Sequence, residues 1–314
     1  MEIDMTRILV LSPARLHFGI INPFNRKFKM YGCVGLAIDR PRTIVEVEEH
    51  SEDVIESDRY LEVKYCLERL REHFNIPKVR IRTIQSIPKH VGLGSTTQLM
   101  LSIAKGLLTL FDIEVSIMEV AKILGRGKVS GIGTYIFQYG GLIIDSGKDK
   151  IEEFPKLHAR IEFPENWYFI ITLPSEGRGL SEEEEEKIFS QNINIPEELV
   201  FKAQEILYRQ FVPAIIDKDI EKFGKALTEL QIIVGKMFIN VQKDIYNPSC
   251  IKVINILKKL DVLGIGQSSW GPTIYALIDS LRRGIEIVKH LIEVHNISAM
   301  LVKPVNYGAI VLKI

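Results

Sequence analysis

The stretch Pro88-Lys89-His90-Val91-Gly92-Leu93-Gly94-Ser95-Thr96-Thr97-Gln98 holds the densest set of chemistry-bearing residue types in the chain. Two glycines flank one leucine, three hydroxyl side chains follow at once, and an apolar helical run begins there. Glycine permits backbone shapes that bring N–H groups up to a ligand. A helix N-terminus adds unpaired donors and the positive end of a dipole. Together they predict a seat for a phosphate or pyrophosphate. Its binding groups are Gly92, Gly94, Ser95 and Thr96, with Lys89 as a nearby cation. The hydroxyls could donate to phosphate oxygens or reach a magnesium ion. A plain strand-to-helix turn with Ser95 as its N-cap uses the same residue types. The loop is not a Walker P-loop, because no Gly-Lys-Ser/Thr ending is present.

Two further clusters carry reactive types. Ser12-Pro13-Ala14-Arg15-Leu16-His17-Phe18-Gly19 offers Arg15, a rigid fork suited to carboxylate or phosphate. It also offers His17, which titrates near neutrality and could act as acid, base or hydrogen-bond donor. An alternating strand would place the same residues at its surface. Gly264-Ile265-Gly266-Gln267-Ser268-Ser269-Trp270-Gly271-Pro272-Thr273 allows a tight loop before a helix starting near Pro272. Trp270 either stacks on a flat ring or fills the core.

The elements that must position these groups follow from periodicity. Residues 6–12, 16–21 and 34–38 read as strands, and 43–48 and 79–84 alternate as half-buried strands do. Helical spacing marks 57–74 and a long helix over 95–110, and Ser116 with Glu119 forms a capping box for the next helix. Residues 141–145 and 168–172 read as buried strands. Ser181 ahead of Glu182–Glu186 reads as a capped helix with its acids in the first turn. Residues 196–236 and 248–260 are mostly helical, and 264–269, 298–304 and 309–313 read as strands. Strands crowd the first half and helices the second, an α+β pattern rather than strict alternation. The expected division is 1–165 and 166–314, with a ligand cleft between the two parts.

Composition narrows the class. The chain has 314 residues, 46% hydrophobic and 25% charged, with equal numbers of acids and bases. That balance argues against broad nucleic-acid binding. The three cysteines are far apart and form neither a disulfide framework nor a zinc pattern, which favours a reducing cytoplasm. No run of about 18 apolar residues and no signal-peptide core is present, so neither a membrane span nor export is expected.

Pro88 to Thr96 resembles the second motif of the GHMP superfamily of small-molecule kinases, with Thr96 in place of a second serine. The Arg15 and Ser268 clusters occupy the places of its first and third motifs. Mevalonate-type kinases carry a Ser-Gly-Val/Ile-Asp whose aspartate assists phosphoryl transfer. Here that segment reads Ser130-Gly131-Ile132-Gly133, and a glycine cannot take a proton. Arg15 to Gly19, Gly92 to Ser95, Gly125 to Gly133, Gly140 to Asp145 and Ser268 to Pro272 together resemble one branch, the β-ribofuranosylaminobenzene 5′-phosphate synthase family.

The resemblance implies a two-domain GHMP-kinase-like fold and an archaeal role in tetrahydromethanopterin synthesis. It implies condensation of phosphoribosyl pyrophosphate with 4-aminobenzoate or 4-hydroxybenzoate, with loss of carbon dioxide and pyrophosphate, and magnesium as cofactor. Arg15, His17 and Asp145 are then the expected catalytic residues. Arg126, Lys128, Ser130 and Trp270 join the glycine-rich loop as substrate-binding residues, and Ser95 and Asp145 are the expected metal ligands. Asp39 is a further candidate carboxylate and Arg178 a candidate lid residue. Nucleic-acid and membrane partners are not expected, and a homodimer is compatible with the reading. The alternative on the same fold is an ATP-dependent small-molecule kinase with another carboxylate replacing the one absent at Gly133.

Overall fold

Two long antiparallel strands carry the first half of the chain, and each runs through a proline. The structure, a computed structural model, describes residues 6–24, 27, 29–173, 179–180, 182–191 and 193–314. β1 (Arg7–Asn22) and β2 (Tyr31–Glu49) replace the four shorter strands expected there. Pro13 has no N–H for a ladder and falls in a register shift between Ser12 and Ala14. Pro41 lies opposite, because Ser12 pairs with Thr43 and Ala14 with Ile38. A second shift between His17 and Gly19 leaves Phe18 unpaired. Such a bulge bends a strand and re-aims its side chains. The Phe18 ring packs 5.2 Å from Tyr275 and 5.8 Å from Phe211, between centroids.

Beyond β2 the sheet ends on the edge strand β3 (Val54–Glu56), which is joined to β2 through β4 (Val79–Gln85), while β5 (Leu142–Asp145) and β6 (Leu157–Ile161) extend from the first part of β2. Helices α1 (Tyr60–Arg71), α2 (Ser95–Leu110), α3 (Ile117–Ile123) and α4 (Ile132–Tyr139) accompany it. α2 starts and stops where the apolar run does, and the Ser116 hydroxyl caps α3 by accepting from the Glu119 N–H.

The second half builds an antiparallel sheet in the order β10-β7-β9-β8, from β7 (Tyr168–Thr172), β8 (Gly264–Gln267), β9 (Ile274–Ile278) and β10 (Ala299–Val302). The helix expected from Pro272 is therefore a strand. Ile274 to Ile278 is buried at every position and paired on both sides, as a central strand requires. Around this sheet lie α5 (Glu182–Ser190), α6 (Glu197–Ile206), α7 (Val212–Ile216), α8 (Ile220–Met237), α9 (Ile239–Gln242), α10 (Ile251–Lys259) and α11 (Leu281–His295). Ser181, expected to cap α5, and Arg178 lie outside the described residues.

The chain does not respect a clean division at residue 165. β11 (Ile310–Lys313) returns to the first sheet and pairs with β1, from Leu11↔Ile310 to Ile8↔Lys313. One buried cluster also joins the halves, running from Leu16, Phe18 and Leu36 to Phe169, Phe211, Leu230 and Tyr275. None of the described helices is long and apolar enough to cross a membrane.

Candidate active site

Backbone laid on backbone brings the three motif clusters together. Gly92 holds φ at +82°, and a Cβ there would lie 2.1 Å from the Ser268 carbonyl oxygen. Across the contact, a Cβ on Gly271 would lie 2.2 Å from the Val91 carbonyl carbon. Only glycines let the loop and the Ser268–Gly271 turn approach so closely. The Gly92 carbonyl then accepts from Ser268 Oγ at 2.5 Å and from Arg15 Nη1 at 2.7 Å. Ser268 Oγ accepts in turn from the His17 N–H at 3.0 Å.

The result is a cleft of about 200 Å3 between the two sheets. Of the expected residues, Arg15, His17, Gly92, Gly94, Ser95, Thr96, Arg126, Lys128, Ser130 and Trp270 line it. Arg15 and His17 are two apart on one strand, so they share a face. Lys89 does not line the cleft; it is half-exposed and paired with Glu62. Asp39 lies away from the cleft, where its carboxylate accepts from the Lys303 N–H and from Arg40.

The start of α2 carries no side-chain cap. Its N-cap is Gly94 in the left-handed region. Ser95 is therefore not the N-cap, and the first-turn N–H groups stay open to a ligand. Ser95 Oγ instead donates to the Ile87 carbonyl at 2.6 Å and accepts from Arg59 Nη1. Arg59 also donates to Thr96 Oγ1 at 3.1 Å and pairs with Glu62. Sequence reading missed Arg59, because it lies 36 residues from Ser95 along the chain and only packing joins them.

Electrostatics sharpen the picture. Burial pulls the Arg15 pKa down to about 10, partly countered by Glu185, so the guanidinium stays charged at neutral pH. Burial, reinforced by Arg15, holds the His17 imidazole well below its usual 6.5 and hence neutral. Its Nδ1 is buried with no hydrogen-bond partner among the described residues. Glu185 and Glu186 on α5 also line the cleft, where Trp270 Nε1 donates to Glu185 at 3.0 Å and Lys128 pairs with Glu186. The acidic run thus does more than favour a first turn, which its local sequence does not reveal.

Asp145 takes a different place from the one expected. It is buried and does not line the cleft. Its Oδ1 accepts from the N–H groups of Cys33 and Gly147, each at 3.0 Å, and its Oδ2 from that of Gly131 at 2.9 Å. It holds the Ser130–Gly131 turn from behind, as a positioning residue.

The chain matches GHMP kinases N terminal domain over residues 62–141 and GHMP kinases C terminal over residues 211–296. A homoserine kinase from Cytophaga hutchinsonii has the same fold at TM-score 0.70, with 18% identity, covering 98% of this chain and 97% of that one. A mevalonate kinase from Methanococcus jannaschii also reaches 0.70, at 16% identity over 95% of this chain and 98% of its own. The curated β-ribofuranosylphenol 5′-phosphate synthase of Methanocaldococcus jannaschii is 30% identical over 301 residues, covering 87% of this chain and 90% of that protein. Its counterpart in Methanothermobacter thermautotrophicus is 29% identical over 295 residues, covering 87% and 89%. The chain belongs to the β-ribofuranosylphenol 5′-phosphate synthase family.

For this family member, two features of the cleft bear on the chemistry expected from the sequence. Gly133 sits on the first turn of α4, and a Cβ there would meet Thr97 Cγ2 at 3.1 Å. The position thus has no carboxylate, and a side chain there would press on Thr97. The expected magnesium ligands do not fit a protein-held metal either. Ser95 Oγ is engaged by Ile87 and by the Arg59 guanidinium, which repels a cation. Asp145 spends both oxygens on backbone N–H groups. No group of three or more potential His, Cys, Asp or Glu ligands occurs among the described residues.

Proposed function

We propose that the protein condenses phosphoribosyl pyrophosphate with a 4-substituted benzoate, releasing carbon dioxide and pyrophosphate and leaving a β-ribofuranosyl arene 5′-phosphate. One observation carries the reading: relatives bearing a single synthase name cover 87–88% of the chain and 89–90% of their own length. That name specifies a phenol, so 4-hydroxybenzoate is our first choice of arene. Magnesium enters, in this reading, with the pyrophosphate of the substrate.

The cleft residues suit such a transfer. The open N–H groups of α2 and the Arg15 guanidinium would receive charge as the ribose C1–O bond breaks and its electron pair leaves on pyrophosphate. A neutral His17 adds no positive charge beside the oxocarbenium-like ribose, whereas an imidazolium would. The ring carbon bearing the carboxylate then bonds to ribose C1, pushed by the electron-donating group para to it. The carbon–carboxylate bond breaks, its electrons restore the aromatic ring, and carbon dioxide departs. No covalent intermediate on the protein is required.

The test is incubation with carboxyl-labelled 4-hydroxybenzoate or 4-aminobenzoate, phosphoribosyl pyrophosphate and magnesium. Labelled carbon dioxide should appear only when the sugar is present, in step with pyrophosphate, and benzoate itself should react very slowly. Label release without the sugar, or a product that keeps its carboxylate, overturns the reading. Acceptor-dependent turnover of ATP would favour a kinase instead.

A further inference from the structure

Beside the cleft lies a second pocket of about 50 Å3, partly open to solvent, with a different character. Its wall is made by Val234, Gly235 and Phe238 at the end of α8, with Gln242, Ile245 and Tyr246 beyond. It shares His17, Ile20, Ser269 and Trp270 with the cleft. The cleft is rimmed by Arg15, Arg126, Lys128, Glu185 and Glu186, yet no Asp, Glu, Lys or Arg is among the described residues lining the second void. Trp270 stands at the junction, its ring edge-on to Phe238 with centroids 4.7 Å apart. Gly19 leaves the room that Val234 fills, since a Cβ there would lie 2.7 Å from Val234 Cγ2.

We propose that this void is the arene subsite, in which the benzoate ring lies against Val234, Phe238 and Trp270 with its carboxyl-bearing carbon at the junction and its 4-substituent inward. The assignment rests on the phosphoribosyl-transfer reading above. Two independent arguments set the orientation. A carboxylate is costly to bury where no cation is near, so it stays at the junction, on the side of Arg15. The chemistry asks for the same pose, because the carboxyl-bearing carbon must reach ribose C1, and the ribose follows its pyrophosphate in the cleft. The 4-hydroxyl or 4-amino group is neutral and fits a wall whose polar groups, away from the junction, are the amides of Gln231, Gln242 and Gln267 and the Tyr246 hydroxyl. His17 Nδ1, buried and unpartnered at the junction, gains a hydrogen-bond partner when a ligand arrives.

Val234 is the residue to change. In the full chain, Val234→Phe should raise the KM for 4-hydroxybenzoate at least about tenfold while that for phosphoribosyl pyrophosphate changes less than about threefold. Val234→Ala should improve kcat/KM for 3-methyl-4-hydroxybenzoate at least about tenfold over wild type, which keeps the proposal testable should the phenylalanine variant not fold. Unchanged arene KM in a folded Val234→Phe protein, or no relaxation toward the methylated arene in Val234→Ala, overturns the subsite and leaves the reaction standing. A wild-type protein inert to the sugar and every benzoate overturns the reaction, and the subsite with it.

Discussion

Asp145 shows what a buried charge does when it touches no substrate. Burial raises its carboxyl from 3.8 to about 6, with the N–H donors of Gly147, Cys33 and Gly131 pulling the other way. A folded pKa above the unfolded one means stability that is full below the unfolded value and lost as pH rises through the folded value. The loss therefore falls between about pH 4 and pH 6 and costs on the order of 2–3 kcal/mol at neutrality. His17 works in the opposite sense, because its depressed pKa costs stability as pH falls below 6.5. Subtracting one protein from the other isolates Asp145. The wild-type advantage over Asp145→Asn, measured by urea unfolding, should shrink by that amount from pH 4 to pH 6.5. A constant difference across that range would mean the carboxyl does not titrate there. The substitution also removes the acceptor of the Gly131 N–H, so the Ser130–Gly131 turn should loosen in hydrogen exchange.

At the scale of elements, the glycine-rich loop and the Ser268–Gly271 turn form one unit, and Gly92 is its contact point. Alanine there meets two penalties at once, a left-handed backbone and a Cβ 2.1 Å from a backbone oxygen. Gly92→Ala should cost about 2–4 kcal/mol and weaken phosphoribosyl pyrophosphate binding by at least about tenfold, because only parting the two loops relieves the clash. Gly125 provides the comparison: its φ is +68° but a Cβ there would meet nothing within 4 Å, so Gly125→Ala should cost only about 1–2 kcal/mol. Equal losses of stability in calorimetry would show that backbone strain, not the loop contact, sets the cost. The contrast also marks what the sequence makes legible. The loop, α2 and the Ser116 cap depend on neighbouring residues and can be read locally. Arg59, the true place of Asp145 and the cleft-facing Glu185 depend on partners far along the chain. β9 was obscured because Pro272 suits a helix start, while the burial that makes Ile274–Ile278 a central strand is a tertiary fact.

The whole molecule carries no net charge, so an anion entering the cleft would answer to local groups such as Arg15 and the α2 terminus rather than to net charge. Those groups are held in place by both sheets at once. Phe18 of β1 packs on Phe169 of β7, Tyr275 of β9 and Phe211 between α6 and α7, with centroids 6.2, 5.2 and 5.8 Å away. Removing the second half would bare Phe18, and with it Leu16 and Leu36 of the same cluster. Each such side chain loses roughly 1.5–3 kcal/mol of burial, a large share of the margin by which any domain is folded. The same cut takes away β11 and leaves one edge of β1 without its partner, an invitation to aggregation. Residues 1–165 made alone should therefore fail to give a cooperative transition or a monomeric species. The intact chain should unfold in a single calorimetric transition that coincides with loss of near-ultraviolet circular dichroism. A soluble 1–165 fragment with its own sharp melt would show that the shared core is dispensable, and that the cleft is a contact between independent bodies rather than a product of one fold.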